Sequence, residues 1–223
     1  MTGKQIAVAF HGIGNPVRVL EPGEARYWIG EGTFLRFLDL VAAHGDPSRV
    51  RLSFDDGNES DFEIARPALQ ERGLTACFFV ITSRLDRPGS LSSSQLRSLA
   101  EGMEIGSHGV DHVDWRGLTA SQLESELAGS KQVLERCIGR AVTVASIPFG
   151  RYNARVLGAL QRAGYGTVYS SDGGPSLPVD RLVARTNVRA DTTLQDFANL
   201  ISGVDPIGAR LVRRLKAIRR RFV

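Results

Sequence analysis

Cysteine is nearly absent from this chain, with two in 223 residues, Cys77 and Cys137. Cys77 lies in the apolar run TACFFVI and Cys137 in a helical pattern, so both read as small buried residues. A disulfide framework and a cysteine metal site are thereby excluded. Histidine is also sparse, at four, so imidazole chemistry has few candidates. No apolar run approaches the roughly 18 residues of a membrane-spanning helix. The opening residues, MTGKQIAVAFHGIG, do not form a signal peptide, because the apolar run over 6–10 is too short and no cleavage region follows it. The expected location is therefore cytoplasmic. No low-complexity linker divides the chain, so one domain over 1–205 is expected, followed by a tail.

Acidic residues are missing from one stretch only. The last 14 residues, RLVRRLKAIRRRFV, hold seven Lys or Arg and no acid, whereas residues 1–209 hold 21 basic and 24 acidic residues. The net charge of +4 thus comes from the tail. Leu211, Leu215, Ile218 and Phe222 share one helical face, so 206–223 is expected to be a basic amphipathic helix. Such a helix can lie on an anionic membrane surface through residues 210–223, or pack on the domain with its basic side in water. Nucleic-acid binding is disfavoured, since no aromatic platform or binding motif accompanies the charge.

What is present is a strand–helix rhythm. Short apolar or β-branched runs at 5–10, 50–54, 75–81, 104–107, 142–147, 167–170 and 182–188 read as strands. Helical spacing marks 33–43, 61–73, 93–101, 119–138, 153–163 and 193–201, with T-A-S-Q at 119–122 resembling a capping box. This alternation predicts parallel strands with helices outside, as an open doubly wound sheet or a barrel.

Polar residues gather where these strands end. His11 follows the first, Asp55-Asp56-Gly57 the second, Ser107, His108 and His112 the fourth, and Pro148-Phe149 the fifth. Parallel α/β folds carry their sites at the carboxyl ends of strands. Asp-Gly is also an ordinary turn signal, and two histidines in a polar loop are ordinary surface residues. Together they suggest more. Two histidines four apart plus one carboxylate leave a position open on Zn²⁺ or a similar divalent ion, the arrangement of catalytic sites. A metal would also resolve the repulsion between adjacent aspartates, one binding it and the other serving as general base.

SFDDG, SHGVDH and IPFG, in that order, resemble the signature of the polysaccharide deacetylases, the NodB-homology group of carbohydrate esterases. The resemblance runs over about residues 5–202 and includes ARPALQERGLTACFFV and GMEIGSH. It implies a distorted (β/α)7 barrel and a metal-dependent hydrolase that removes N-acetyl groups from amino sugars. It implies Asp55 as general base, Asp56, His108 and His112 as ligands of a divalent metal, Zn²⁺ foremost, and the Phe149 N–H as an oxyanion donor.

Three features depart from the family pattern. Gly109 stands where Ser or Thr usually supports the loop. Ser146 stands where an Arg usually orients the base. No histidine follows His112, so the usual C-terminal Leu-x-x-His is missing. AVAFHGIG resembles the N-terminal strand end of the permuted poly-N-acetylglucosamine deacetylases, which implies His11 as the general acid. The expected substrate is an N-acylated amino sugar, lipid-linked or nucleotide-linked if the tail meets a membrane. A deformylase or amidase on another substrate, and a non-catalytic carbohydrate-binding relic, are the alternatives; Ser146 is the best support for the relic.

Overall fold

The computed structural model describes residues 3–203. The basic tail, and with it the expected helix over 206–223, lies outside the described residues. Seven strands run parallel: β1 (Gln5–Phe10), β2 (Val50–Phe54), β3 (Ala76–Val80), β4 (Glu104–Ser107), β5 (Val144–Ser146), β6 (Thr167–Ser170) and β8 (Leu182–Asn187). They follow the order β2-β3-β4-β5-β6-β8-β1 and close when β1 pairs with β2 from Ile6↔Val50 to Phe10↔Phe54. Closure excludes the open doubly wound sheet and leaves the seven-stranded (β/α) barrel. The sequence reading lacked one strand, β7 (Pro175–Ser176), which pairs antiparallel with Gln5 and Ile6. Two residues are too few to show a period.

Strand parity explains the packing, because successive side chains face opposite sides. Ile6, Val8, Phe10, Leu52, Phe54, Phe78, Val80 and Ile105 face outward into the large core beneath the helices. Ala7, Cys77, Phe79, Val144, Tyr169 and Val183 face inward and form a second, smaller cluster. A seven-stranded barrel leaves little room inside. A Cβ on Gly106 would stand 2.4 Å from the Phe79 ring, so the glycine makes space for that ring. Cys77 is buried and Cys137 is partly buried, and both are free thiols.

The outer layer contains α1 (Glu31–Ala42), α2 (Arg66–Glu71), α3 (Ser93–Ala100), α4 (Ala120–Glu124), α5 (Ser130–Ile138), α6 (Ala154–Arg162) and α7 (Leu194–Ile201). The capping box at Thr119 forms as its sequence predicts, with Gln122 closing it. Two expected continuous helices, 61–73 and 119–138, instead contain a wide π turn, at Asp61–Ala65 and Ser125–Gly129. Each π turn carries a buried acid, Asp61 or Glu126. The fifth strand is shorter than expected: Val142 and Thr143 precede it, and it ends at Ser146, one residue before the expected stop.

Candidate active site

The inward parity of each strand continues past its carboxyl end, and this brings the candidates together. His11, Asp55, Asp56, His108, His112 and Phe149 line one cleft of about 550 Å³. Asp55 continues β2 and its N–H donates to Phe10 O. His108 continues β4 and its N–H donates to Val80 O.

The two aspartates have different surroundings. Asp56 turns away at φ 80° and presents Oδ1, a buried atom with no hydrogen-bond partner. His108 Nε2 lies 3.6 Å from that oxygen and His112 Nε2 3.7 Å. One donor atom from each of Asp56, His108 and His112 falls within 4.8 Å of the others. Donors on a tetrahedral ion stand roughly 3.3 Å apart, so small side-chain adjustments would seat a divalent metal. The far nitrogen of each ring is occupied: His108 Nδ1 pairs with Ser146 O at 2.9 Å and His112 Nδ1 with Glu21 Oε2 at 3.0 Å. These contacts fix ring orientation and point Nε2 into the cleft. Burial, partly opposed by the charge of Asp55, pushes the His108 pKa down to about 4, so its ring is neutral and can bind a metal.

Asp55 lies against a residue that the sequence reading did not single out. Arg185, on the inward face of β8 and 1% exposed, meets it as a fork, Nη1 to Oδ1 at 2.6 Å and Nη2 to Oδ2 at 2.7 Å. The guanidinium also donates to the hydroxyls of Ser53 and Ser146. Phe79 and Tyr169 present their rings 5.1 and 5.6 Å from its centre. Burial alone would raise the Asp55 pKa, but the charge and hydrogen bonds of Arg185, with His108 and His11 nearby, together outweigh it and hold the carboxyl well below the ordinary range. A guanidinium thus meets Asp55 although position 146 is serine. No short-range pattern could reveal this, because Asp55 and Arg185 meet only through the barrel.

The departure at Gly109 has a similar account. Glu126, from the second π turn, accepts hydrogen bonds from the Val110 and Asp111 N–H groups and from Trp115 Nε1. It braces the histidine loop from below. Gly109 sits at φ +84°, and a Cβ there would meet Glu126 Oε2 at 2.6 Å, so this brace requires glycine. Asp61, in the first π turn, is fully buried; burial and then the charge of Asp56 push its carboxyl well above the usual range.

His11 stacks on Tyr27 with ring centroids 4.8 Å apart, and no group among the described residues hydrogen-bonds its buried Nδ1. Phe149 adopts φ 56°, is 51% exposed, and places its ring 4.4 Å from that of His112.

The polysaccharide deacetylase family model matches residues 42–168. Over 150 residues the chain is 32% identical to YxkH of Bacillus subtilis (strain 168), named as a polysaccharide deacetylase, covering 67% of this chain and 54% of that protein. It is 29% identical to a chitin deacetylase of Pestalotiopsis over 126 residues, 56% of this chain and 42% of that protein. The chain therefore spans about half the length of the curated relatives it matches. The Streptococcus pyogenes deacetylase PplD, solved in complex with acetate, shares the fold with a TM-score of 0.77 at 20% identity, covering 92% of this chain and all of that one. His11, Glu21 and Arg185 lie outside the family-matched span, so only the barrel connects them to it.

The pKa of His108 has a measurable consequence in metal-free protein. The ring binds a proton more readily unfolded, near pH 6.5, than folded, near 4. Its contribution to stability is complete above pH 6.5 and is lost as pH falls toward 4, by roughly 3 kcal/mol at most. Urea midpoints of metal-free protein should drop across that window, and by less in His108→Gln. An equal drop in both would assign the loss to other groups.

Proposed function

The chain belongs to the polysaccharide deacetylase family, and from that premise we propose a metal-dependent hydrolase that removes an N-acetyl or other N-acyl group from an amino sugar. Its place would be in cell-surface glycan or glycolipid biosynthesis. One observation carries the reading: adjacent carboxylates divide between an arginine fork and two imidazole nitrogens.

A divalent cation held by Asp56, His108 and His112, Zn²⁺ being well suited, would supply Lewis acidity to the acyl carbonyl and acidify water enough for a weakly basic carboxylate to deprotonate it. Asp55 accepts the proton of the attacking water. Arg185 keeps Asp55 ionised and fixes the direction of its oxygens. The Phe149 N–H donates to the carbonyl oxygen as negative charge develops there. His11 gives a proton to the leaving nitrogen as the C–N bond breaks. Ser146, the strongest argument for a non-catalytic relic, loses its force because Arg185 supplies the missing guanidinium.

Elemental mass spectrometry and acetate release from N-acetylated amino sugars test this together. Wild-type protein should carry about one divalent ion per chain and release acetate, and His108→Ala should lose both. Asp55→Asn should keep the ion while turnover falls by at least about 100-fold. Wild-type turnover in Asp55→Asn would remove Asp55 as the base. Arg185→Lys retains a charge but not the fork, and should lower kcat by about 100-fold, the order expected for a small misplacement of the base. Unchanged kcat in a folded Arg185→Lys would make the arginine structural only.

The tail supports a further element of this reading, association with an anionic membrane surface from the cytoplasmic side, where lipid-linked or nucleotide-linked amino sugars would be the substrates. Deleting residues 210–223 should abolish co-flotation with anionic liposomes; equal flotation without the tail would reject it.

A further inference from the structure

The charges that face the cleft are unequally matched. Glu21 sits against Arg84 and His112, Glu24 against Arg18, and Asp55 against Arg185. Asp56 faces the two imidazoles. Three of these four acids therefore face an arginine, and the fourth faces the proposed metal site. The two arginines on the rim are different. Arg26 is exposed and makes no ion pair among the described residues. Arg151, with its side chain 58% exposed, reaches Asp114 at 3.4 Å, but Arg116 already holds that carboxylate at 2.9 Å. This surplus does not reflect a generally basic body, since residues 1–209 carry more acid than base.

The two arginines are also placed alike. Arg26 stands 6.0 Å from the Tyr27 ring, which stacks on His11. Arg151 stands 6.0 Å from the Phe149 ring, which packs on His112. Two columns of arginine, aromatic ring and histidine thus rise from the floor of the cleft to its rim. An aromatic face suits a sugar ring, and an exposed guanidinium that is unpaired or shares its carboxylate with another arginine suits an oxyanion, which it binds through paired N–H donors. A cleft of about 550 Å³ is within the usual range for a small-molecule ligand.

We propose that this cleft selects an N-acylated sugar bearing an oxyanion, phosphate or carboxylate, on the acylated unit or its neighbour, and that Arg26 and Arg151 read that charge. The inference rests on the amide-hydrolase reading for the acyl group but not for the charge preference. The two can therefore fail separately.

The experiment uses zinc-loaded Asp55→Asn protein, in which ligand is not consumed. N-acetylglucosamine, N-acetylglucosamine 1-phosphate and an N-acetylglucosamine–glucuronate disaccharide are titrated by calorimetry at low salt and at about 0.5 M salt. The same titrations are made with Arg26→Gln and Arg151→Gln added singly and together. Both arginines are exposed, so thermal melts should be little changed. At least one anionic ligand should bind about tenfold or more tightly than the neutral sugar, as a charge-assisted hydrogen bond would provide. That advantage should shrink with salt and largely vanish in the double variant. The phosphate and carboxylate arms identify the source of the charge. Equal binding of neutral and anionic sugars overturns the proposal. So does an undiminished advantage in the double variant, which would assign the anion to the metal, or to Arg185 left unpaired by Asp55→Asn, instead. Absence of acetate release by wild type from all three ligands would reject the hydrolase reading, whatever their order of binding.

Discussion

A guanidinium inside a seven-stranded barrel is the constraint on which the site depends. Arg185 is buried between two aromatic faces and must be neutralised there. Asp55 does this through two short parallel hydrogen bonds. Taking both ions out of water is expensive, and such pairs are weak sources of net stability. Losing either partner alone would leave a buried charge, at about 3–5 kcal/mol. The pair therefore serves orientation and ionisation. It holds one carboxylate charged at the mouth of the barrel and leaves its neighbour free to face two imidazoles.

Backbone strain gathers at the same mouth. Among the described residues, four that are not glycine take positive φ: Asp56, Asp86, His112 and Phe149. Three of them line the cleft. Left-handed conformations for such residues cost about 1–3 kcal/mol each and persist only where surrounding contacts enforce them. Those contacts can be named. Glu126 binds the loop that carries His112, Glu21 holds the His112 ring, and Arg18 links Glu24 to Asn58 just beyond the aspartates. The two π turns shape this support, since a wider turn redirects a side chain that a regular helix would place elsewhere. Glu126 reaches the histidine loop from one of them.

The sequence reading found the inner row of residues because each stands next to a strand end that local pattern already marks. SFDDG and SHGVDH announce themselves within a few residues, and His11 follows an apolar run. The residues that hold this row were not legible in the same way. Glu21 lies in a segment without period, Glu126 looks like any exposed acid on a long helix, and Arg185 sits in a strand whose other residues are unremarkable. Each acts across a distance in sequence that no local window spans. Gly109 and Ser146 looked like defects when read singly, and become intelligible beside Glu126 and Arg185.

By itself the sequence determined the alternation of strands and helices and the polar groups at the strand ends. Periodicity and turn chemistry are local properties, and they act over a few residues. Tertiary structure decided that the sheet closes, since an open sheet satisfies the same periodicity. Closure carries β8 to within two strands of β2, across β1, and sets Arg185 beside Asp55. It also decided which aspartate is paired and which is exposed to the imidazoles. That choice depends on a charge 130 residues away in sequence and in direct contact in space.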